Sequence, residues 1–483
     1  MRWRYIVYIV GALVMFLGFT MAVPLGFGLF YADQSVRPLL KSMGMTIMAG
    51  GMLFILFRKE RTASLNQREG MAIVTVGWTA VGFFGALPFY FADGHWELVD
   101  AFFESVSGFT TTGASILANV EALPKGLLLW RSFIQWLGGM GIIVLSIAIL
   151  PFLGVGGMQL YKAEVPSPVP DKLKPRIRDT AKILWKVYAL FSFVQLVLLM
   201  LGGMTFFDAL CHAFTTMPTG GFSTRNASVA HFDSAYLDFV IIIFMVLAGI
   251  NFSLHYQLLR GKPLAFWKDR ECRFFLAALL VLIAVVSCDV FSAQIYNSIG
   301  GAFRYAAFQV VSIVTTTGFA TADYETWPAL SQHILLACMF LGASAGSTGG
   351  GMKCLRIMLC FKYCYKELFS LVHPRAITTI KLGGQTVSEE IMRSVLGFLA
   401  LYVGLFGLST IVLAGFGVDF VTAFGAVAAT IGNIGPGFGA VGPVENYAMI
   451  PVAGKWLLIW CMLLGRLEIY TVLILLVPEF WHK

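Results

Sequence analysis

Long apolar runs separated by short polar patches set the pattern of this chain. Ten runs approach or exceed the roughly 20 residues that a helix needs to cross a bilayer. They cover 5–31, 37–57, 71–92, 127–153, 181–204, 235–259, 272–293, 331–366, 391–416 and 453–478, and the run at 331–366 is interrupted by glycines. Between several of them lie shorter semi-apolar pieces, such as VDAFFESVSGF, that are too short to cross and suit re-entrant segments. The first run is too long for the apolar core of a signal peptide and lacks a cleavage site, so it reads as a retained span. The pattern predicts an all-α integral membrane protein in contact with the lipid bilayer.

Composition agrees. Of 483 residues, 58% are hydrophobic and 12% charged, with a mean hydropathy of +0.79. Soluble domains carry about 25% charged residues. The net charge of +8 gathers in a few connections: residues 58–70 hold four Lys and Arg, 162–182 hold six, 259–273 hold five and 353–393 hold seven. By the positive-inside rule these connections and both termini are cytoplasmic, which ten spans require. Membrane topology thus accounts for the charge, and no nucleic-acid partner is expected. The eight cysteines form no Cys-x-x-Cys pair and read as free thiols.

The short pieces align on a glycine. DAFFESVSGFTTTG ends at Gly113, DALCHAFTTMPTGG at Gly221, YAAFQVVSIVTTTG at Gly318 and TAFGAVAATIGNIG at Gly435. Ala101, Ala209, Ala306 and Ala423 stand at the same distance before each glycine. A period near one hundred residues, each with a span, a short helix, a glycine turn and a span, is a fourfold internal repeat. Irregular backbone at membrane depth is tolerated only where it is buried in protein or lines a water-filled cavity. Four such turns converging on one axis can present carbonyls that replace an ion's water shell. Helix C-termini pointing at the axis would favour a cation. Small residues also mark close helix packing, which is the bland reading of a single TTTG; four copies in register favour a pore.

The stretch WLGGMGIIVLSIAILPFLGVGGMQLYKAEVP (136–166), the run GSTGGGMKCLRI (346–357), LVHPRA (371–376) and GRLEIYT (465–471) resemble the superfamily of K⁺ transporters that includes TrkH, TrkG and the Ktr membrane subunits, and within it the TrkH type. The resemblance covers essentially the whole chain. It implies two N-terminal helices over 1–70 and four pore units over 71–161, 162–262, 263–381 and 382–483, around a pseudo-fourfold pore. The implied K⁺ filter matches Thr111, Thr112, Gly113, Gly220, Gly221, Thr317, Gly318, Ile434 and Gly435. The four filter stretches differ from one another and from TVGYG, so lower symmetry and less strict discrimination of K⁺ from Na⁺ are expected. The resemblance further implies K⁺ as transported ion with no covalently bound cofactor, a homodimer, a cytosolic ring of TrkA-type nucleotide-binding subunits, and the bacterial cytoplasmic (inner) membrane.

Five glycines within ten residues interrupt the eighth run in GASAGSTGGGMK (342–353). Each glycine costs a helix about 1 kcal/mol relative to alanine. Met352 and Cys354 around Lys353 exclude a Walker loop, which needs Gly-Lys-Ser/Thr. The resemblance makes Gly346, Ser347, Thr348, Gly349, Gly350 and Gly351 an intramembrane gating loop, with Arg466 beside it as a barrier to cations. A charge inside an apolar run is expensive and functional by default. Glu468, two residues on, does not face Arg466 on a helix. Glu104, Arg131 and Arg304 read as capping or interface groups, and His212 and His333 as structural.

No catalytic constellation, P-loop or metal-spaced cluster is present, so no enzyme is expected. Three function classes stay open. The first is a K⁺-translocating subunit; the second is a Na⁺- or H⁺-coupled or weakly selective cation transporter on the same scaffold. The third is a non-conducting assembly or receptor subunit.

Overall fold

A computed structural model gives the fold and describes residues 1–58, 66–92, 94, 96–149, 177–376, 378–383 and 385–481. Of the features expected above, 59–65 and 162–176 of the basic connections, 150–166 of the long motif, the boundary at 161 and the last residue of the fourth unit, 483, lie outside the described residues.

The first apolar run forms helices Trp3–Thr20 and Ala22–Tyr31, and the second forms Val36–Leu56. This last helix returns antiparallel against the first along a seam of glycines. A Cβ added to Gly11 would lie 2.8 Å from the Leu53 Cβ, and one on Gly50 2.8 Å from the Met15 Cα. Without lipid–helix contrast to drive association, such close backbone approach is what holds membrane helices together.

Four units follow in one order: outer helix, short buried helix, tight turn, inner helix. The outer helices are Gln67–Tyr90, Ile177–Leu201, Arg270–Ser292 and Glu389–Gly415. The short helices are Leu98–Phe109, Phe206–Thr216, Ile299–Val314 and Phe420–Ile431. At 1.5 Å per residue these reach only about 16–24 Å, less than the ~30 Å of a bilayer core. Side chains cap three of their N-termini: Thr205 accepts from Asp208 N–H, Ser298 from Gly301 N–H and Asp419 from Thr422 N–H. In the first unit every residue from Ala101 to Phe109 is buried. Each of the first three short helices packs against the inner helix of the preceding unit, the first against that of the fourth, so the units close into a ring.

The inner helices are where regularity fails. The first runs from Lys125 to Ile149 without a break. The second bends by 104° between Ala235–Gly249 and Phe252–Leu259, and the fourth by 117° between Val452–Arg466 and Ile469–Leu476. The third stops at Cys338 and resumes only at Cys354. Each of the ten apolar runs carries helix. Among the described residues six helices are long and apolar enough to cross a membrane, or up to eight if each bent pair is one span.

Substituting Gly50→Leu forces a side chain into the backbone of the first helix. Overpacking of this kind costs about 1–3 kcal/mol, and the expected result is a lowered thermal midpoint of the detergent-solubilised protein. A midpoint equal to wild type would mean that the N-terminal hairpin contributes little to stability.

Candidate functional site

Each short helix ends in the same backbone turn. The residue two before the aligned glycine is left-handed in every unit: Thr111 at φ +52°, Thr219 at +58°, Thr316 at +60° and Asn433 at +53°. The glycines Gly113, Gly221, Gly318 and Gly435 are left-handed too, at +80°, +74°, +81° and +106°. Thr111 N–H donates to Gly108 O at 3.0 Å and Thr112 N–H to Ser107 O at 2.9 Å. The same pair recurs as Thr219 to Thr216 with Gly220 to Thr215, Thr316 to Ile313 with Thr317 to Ser312, and Asn433 to Thr430 with Ile434 to Ala429. This is the Schellman closure of a helix C-terminus. A left-handed non-glycine residue costs roughly 1–2 kcal/mol, so four of them at matching positions mark a backbone that the surroundings impose.

The turns meet one another in a closed ring. A Cβ built on Gly113 would strike the Gly220 carbonyl oxygen, one on Gly221 the Thr317 oxygen and one on Gly318 the Ile434 oxygen. On Gly435 it would lie 2.8 Å from the Thr112 oxygen. The contacts run from unit one through two, three and four and back to one. The nine residues that the sequence pointed to as a filter therefore share one locus, at the converging C-termini of four helices. The partial negative charge there suits a cation. Among the described residues no group of three or more His, Cys, Asp or Glu side chains is placed to hold a metal, so carbonyls and hydroxyls are the ligands on offer.

The ring order puts the two TTTG copies opposite each other, and they match in detail. Thr110 and Thr112 hydroxyls lie 2.8 Å apart, as do Thr315 and Thr317. Ser107 donates to Ala114 O at 2.6 Å and Ser312 to Phe319 O at 2.7 Å, each bridging its helix to the strand beyond the glycine. The other two units have neither serine. Thr215 stands at that position in the second and bonds back to Cys211 and His212 of its own helix, while the fourth has Ala429.

Charged residues read from sequence as capping or interface groups turn out to brace the loops outside this ring. Glu104 and Arg131 pair at 2.5 Å with both side chains buried. Glu104 also accepts from Ile116 N–H, and Arg131 donates to Ser223 O and lies over the Phe222 ring. The pair thus joins the strand of unit one to that of unit two. Arg304 pairs with Asp238 at 2.6 Å, linking the third short helix to the second inner helix. Glu325 accepts from Gly439 N–H at 2.6 Å across units three and four, and burial raises its carboxyl above the usual value. His212 is fully buried against Asp208 O and Ser223, and His333 bonds Ala329 O of its own helix.

The break in the third inner helix lies directly against the inner ends of the short helices. Thr348 donates to Met217 O at 2.9 Å and accepts at its carbonyl from Thr219 at 3.0 Å. Gly350 N–H donates to the Thr316 hydroxyl at 2.7 Å. Gly346 and Gly351 are left-handed, and a Cβ on Gly350 would fall 2.6 Å from Gly432 O. Ser347 caps the turn by donating to Ser344 O and accepting from Gly349 N–H. Arg466, buried at 3% exposure, donates from Nη1 to Thr348 O at 2.7 Å, while its Nε and Nη2 have no partner among the described residues. Glu468 is not its counter-ion; it pairs with Arg356 at 2.6 Å. Lys353, which drew attention in the sequence only as a mismatch to a Walker loop, donates from Nζ to Gly349 O. Two cationic side chains therefore hold consecutive carbonyls of the loop.

A family model described as TrkH, cation transport protein, matches residues 39–483. The Trk system potassium uptake protein TrkH of Salmonella typhimurium is 44% identical over 486 residues, covering 100% of both chains. The Trk system potassium uptake protein TrkG of Escherichia coli is 37% identical over 483 residues, covering 99% of each. The crystal structure of the potassium transporter TrkH from Vibrio parahaemolyticus matches at a TM-score of 0.91 and 40% identity, over 100% of both chains.

Removing one partner of the Glu104–Arg131 pair leaves a buried charge uncompensated, at a cost of about 3–5 kcal/mol. Arg131→Met should lower the thermal midpoint sharply, and the double variant Arg131→Met/Glu104→Gln should recover much of the loss. Thermal unfolding of the three proteins in one detergent measures both. Additive losses would show that the two side chains are energetically independent.

Proposed function

The chain belongs to the TrkH family of cation transport proteins, and from that premise we propose that it carries K⁺ inward through one central pore. The observation that carries the reading is the closed ring of glycine-to-carbonyl contacts at Gly113, Gly221, Gly318 and Gly435. In this reading the carbonyls and hydroxyls of Thr111, Thr112, Gly220, Thr317 and Ile434 replace the water shell of the ion. Transport is its work rather than catalysis, with K⁺ as cargo and no covalent cofactor. The chain is a multi-pass protein of the bacterial inner membrane, with ten spans and both termini in the cytoplasm. It acts as a homodimer under control of a cytosolic nucleotide-binding ring of TrkA type, whose contacts fall on the basic connections.

Gly346 to Gly351 and Arg466 form the gate. Two effects oppose a passing ion: the loop fills the path, and a guanidinium with no acidic partner among the described residues repels. At an effective dielectric near 20, a unit charge about 6 Å away costs K⁺ roughly 3 kcal/mol. That alone slows passage about a hundredfold, since each 1.4 kcal/mol is a factor of ten. The unequal filter strands also favour a second reading, a weakly selective monovalent cation pathway on the same scaffold.

⁸⁶Rb⁺ uptake into proteoliposomes loaded with KCl tests the filter, with KCl or NaCl competing outside. Wild-type uptake should be suppressed by K⁺ far more than by Na⁺. Gly113→Ser places a side chain against the Gly220 carbonyl and adds left-handed strain of 1–2 kcal/mol, so uptake or the K⁺ preference should fall about tenfold. Uptake that Na⁺ suppresses as well as K⁺ would favour the second reading, and a Gly113→Ser protein identical to wild type would sink the filter.

For the gate, Arg466→Ala removes a charged hydrogen bond worth about 1.5–3 kcal/mol from the closed arrangement. With the repulsion removed as well, uptake should rise about a hundredfold in the absence of any cytosolic partner. An unchanged or reduced rate in correctly folded protein would remove Arg466 from the barrier.

A further inference from the structure

The four filter strands are quasi-equivalent in backbone but not in what holds them. In units one and three a serine of the short helix, Ser107 or Ser312, reaches past the glycine to the carbonyl one residue beyond it. Unit four has Ala429 there, and its strand is held from outside by Tyr447, whose hydroxyl donates to Gly435 O at 2.7 Å. Unit two has Thr215, whose hydroxyl stays on its own helix. β-branched side chains in helices have restricted rotamers, and threonine hydroxyls commonly bond the preceding turn.

The second strand is held instead by Gln135, a fully buried residue of the first inner helix. Its Nε2 donates to Gly220 O at 2.7 Å, and its Oε1 accepts from Phe222 N–H at 3.1 Å. The two bonds straddle Gly221 and fix the peptides on both sides of it. Gly220 is glycine for the same reason, because a Cβ there would overlap the Gln135 amide. Gly220 O is also a member of the carbonyl ring, the one facing Gly113. Among the described residues Thr112 O, Thr317 O and Ile434 O accept no hydrogen bond, so Gly220 O differs from the other three members in having a donor on it.

We propose that Gln135 is the positioning residue of the second filter strand and a determinant of ion preference: its amide staples the strand across Gly221 and fixes the Gly220 carbonyl in the ring. This deepens the filter reading and rests on it. An ion is discriminated by the number and field strength of the carbonyls that surround it, so a strand freed to tilt away weakens preference more than it weakens flux. Methionine matches the volume of glutamine without donating. Glutamate keeps an oxygen for Phe222 N–H and faces Gly220 O with a second one. That oxygen donates only when protonated, and burial favours the protonated form.

The test compares ⁸⁶Rb⁺ uptake by wild type, Gln135→Met, Gln135→Glu and Gly113→Ser in proteoliposomes, with KCl or NaCl competing, at acid and alkaline pH. Gln135→Met should reduce the ratio of NaCl to KCl needed for half-inhibition by about tenfold, the worth of a hydrogen bond near 1.4 kcal/mol. Uptake itself should persist. Gln135→Glu should hold a near wild-type ratio at acid pH and lose it at alkaline pH, whereas wild type keeps one ratio throughout. If Gln135→Met does not fold, Gln135→Glu decides alone, since it keeps the shape. A wild-type ratio in the folded Met variant, or a pH-independent wild-type ratio in the Glu variant, overturns the proposal. If Gly113→Ser is also indistinguishable from wild type, the filter reading fails with it; if Gly113→Ser alone is altered, only the role of Gln135 is lost.

Discussion

Four carbonyl oxygens each lie against the Cα of a glycine in the neighbouring unit, with no room for a methyl group between them. This contact cannot be made by helix, because helical carbonyls are used within the helix. Each short helix must therefore stop, reverse its handedness at one residue and emerge as strand, all at a depth where exposed polar backbone costs several kcal/mol per group. The rest of the fold is arranged around that requirement. The C-terminal halves of the short helices are largely buried, so that packing, rather than propensity, holds those ends in place. The Schellman bonds satisfy the last carbonyls of each helix before the chain leaves it.

Backbone equivalence coexists with unequal side-chain support. Units one and three, opposite in the ring, share serine braces and paired threonine hydroxyls, whereas units two and four use a glutamine from one inner helix and a tyrosine from an outer loop. A tetramer of identical chains has to use the same brace four times. A single chain with four units is free to vary it, and does so where the short helix carries Thr215 or Ala429 instead of serine. Asn433 adds a further asymmetry: its amide ties the fourth turn to the Thr112 hydroxyl at 2.9 Å and to Met462 O at 3.0 Å.

What the sequence exposes and what it hides follows from distance along the chain. Run lengths, glycine register and the interruption at 342–353 are local or periodic features, and each corresponds to an element of the fold. The turn at Asn433 was visible only through alignment with TTTG, since NIG resembles it in nothing but position. Gln135 gave no signal, because one amide in an apolar run looks the same whether it faces lipid, a neighbour or a filter strand. Glu104 and Arg131 stand 27 residues apart on separate elements, a spacing that no helical period relates. The pairing of Glu468 with Arg356, 112 residues away, is hidden for the same reason. Its sequence neighbour Arg466 could be rejected as partner from helix geometry alone.

The loop proposed as gate is fastened to the residues that shape the proposed filter. Its Thr348 bonds the hydroxyl of Thr219 and its Gly350 bonds that of Thr316, and both threonines are the left-handed residues of their turns. A left-handed threonine is held by its surroundings against roughly 1–2 kcal/mol of intrinsic strain, so losing a partner on its side chain matters more than it would in a relaxed helix. Swinging the loop aside must break these bonds together with those of Arg466 and Lys353 to Thr348 O and Gly349 O. The first unit is exempt, because the Thr111 hydroxyl has no partner among the described residues. The proposed gate and the proposed filter therefore do not meet as two independent barriers in series: displacing the loop removes side-chain anchors from two of the four turns that build the ring.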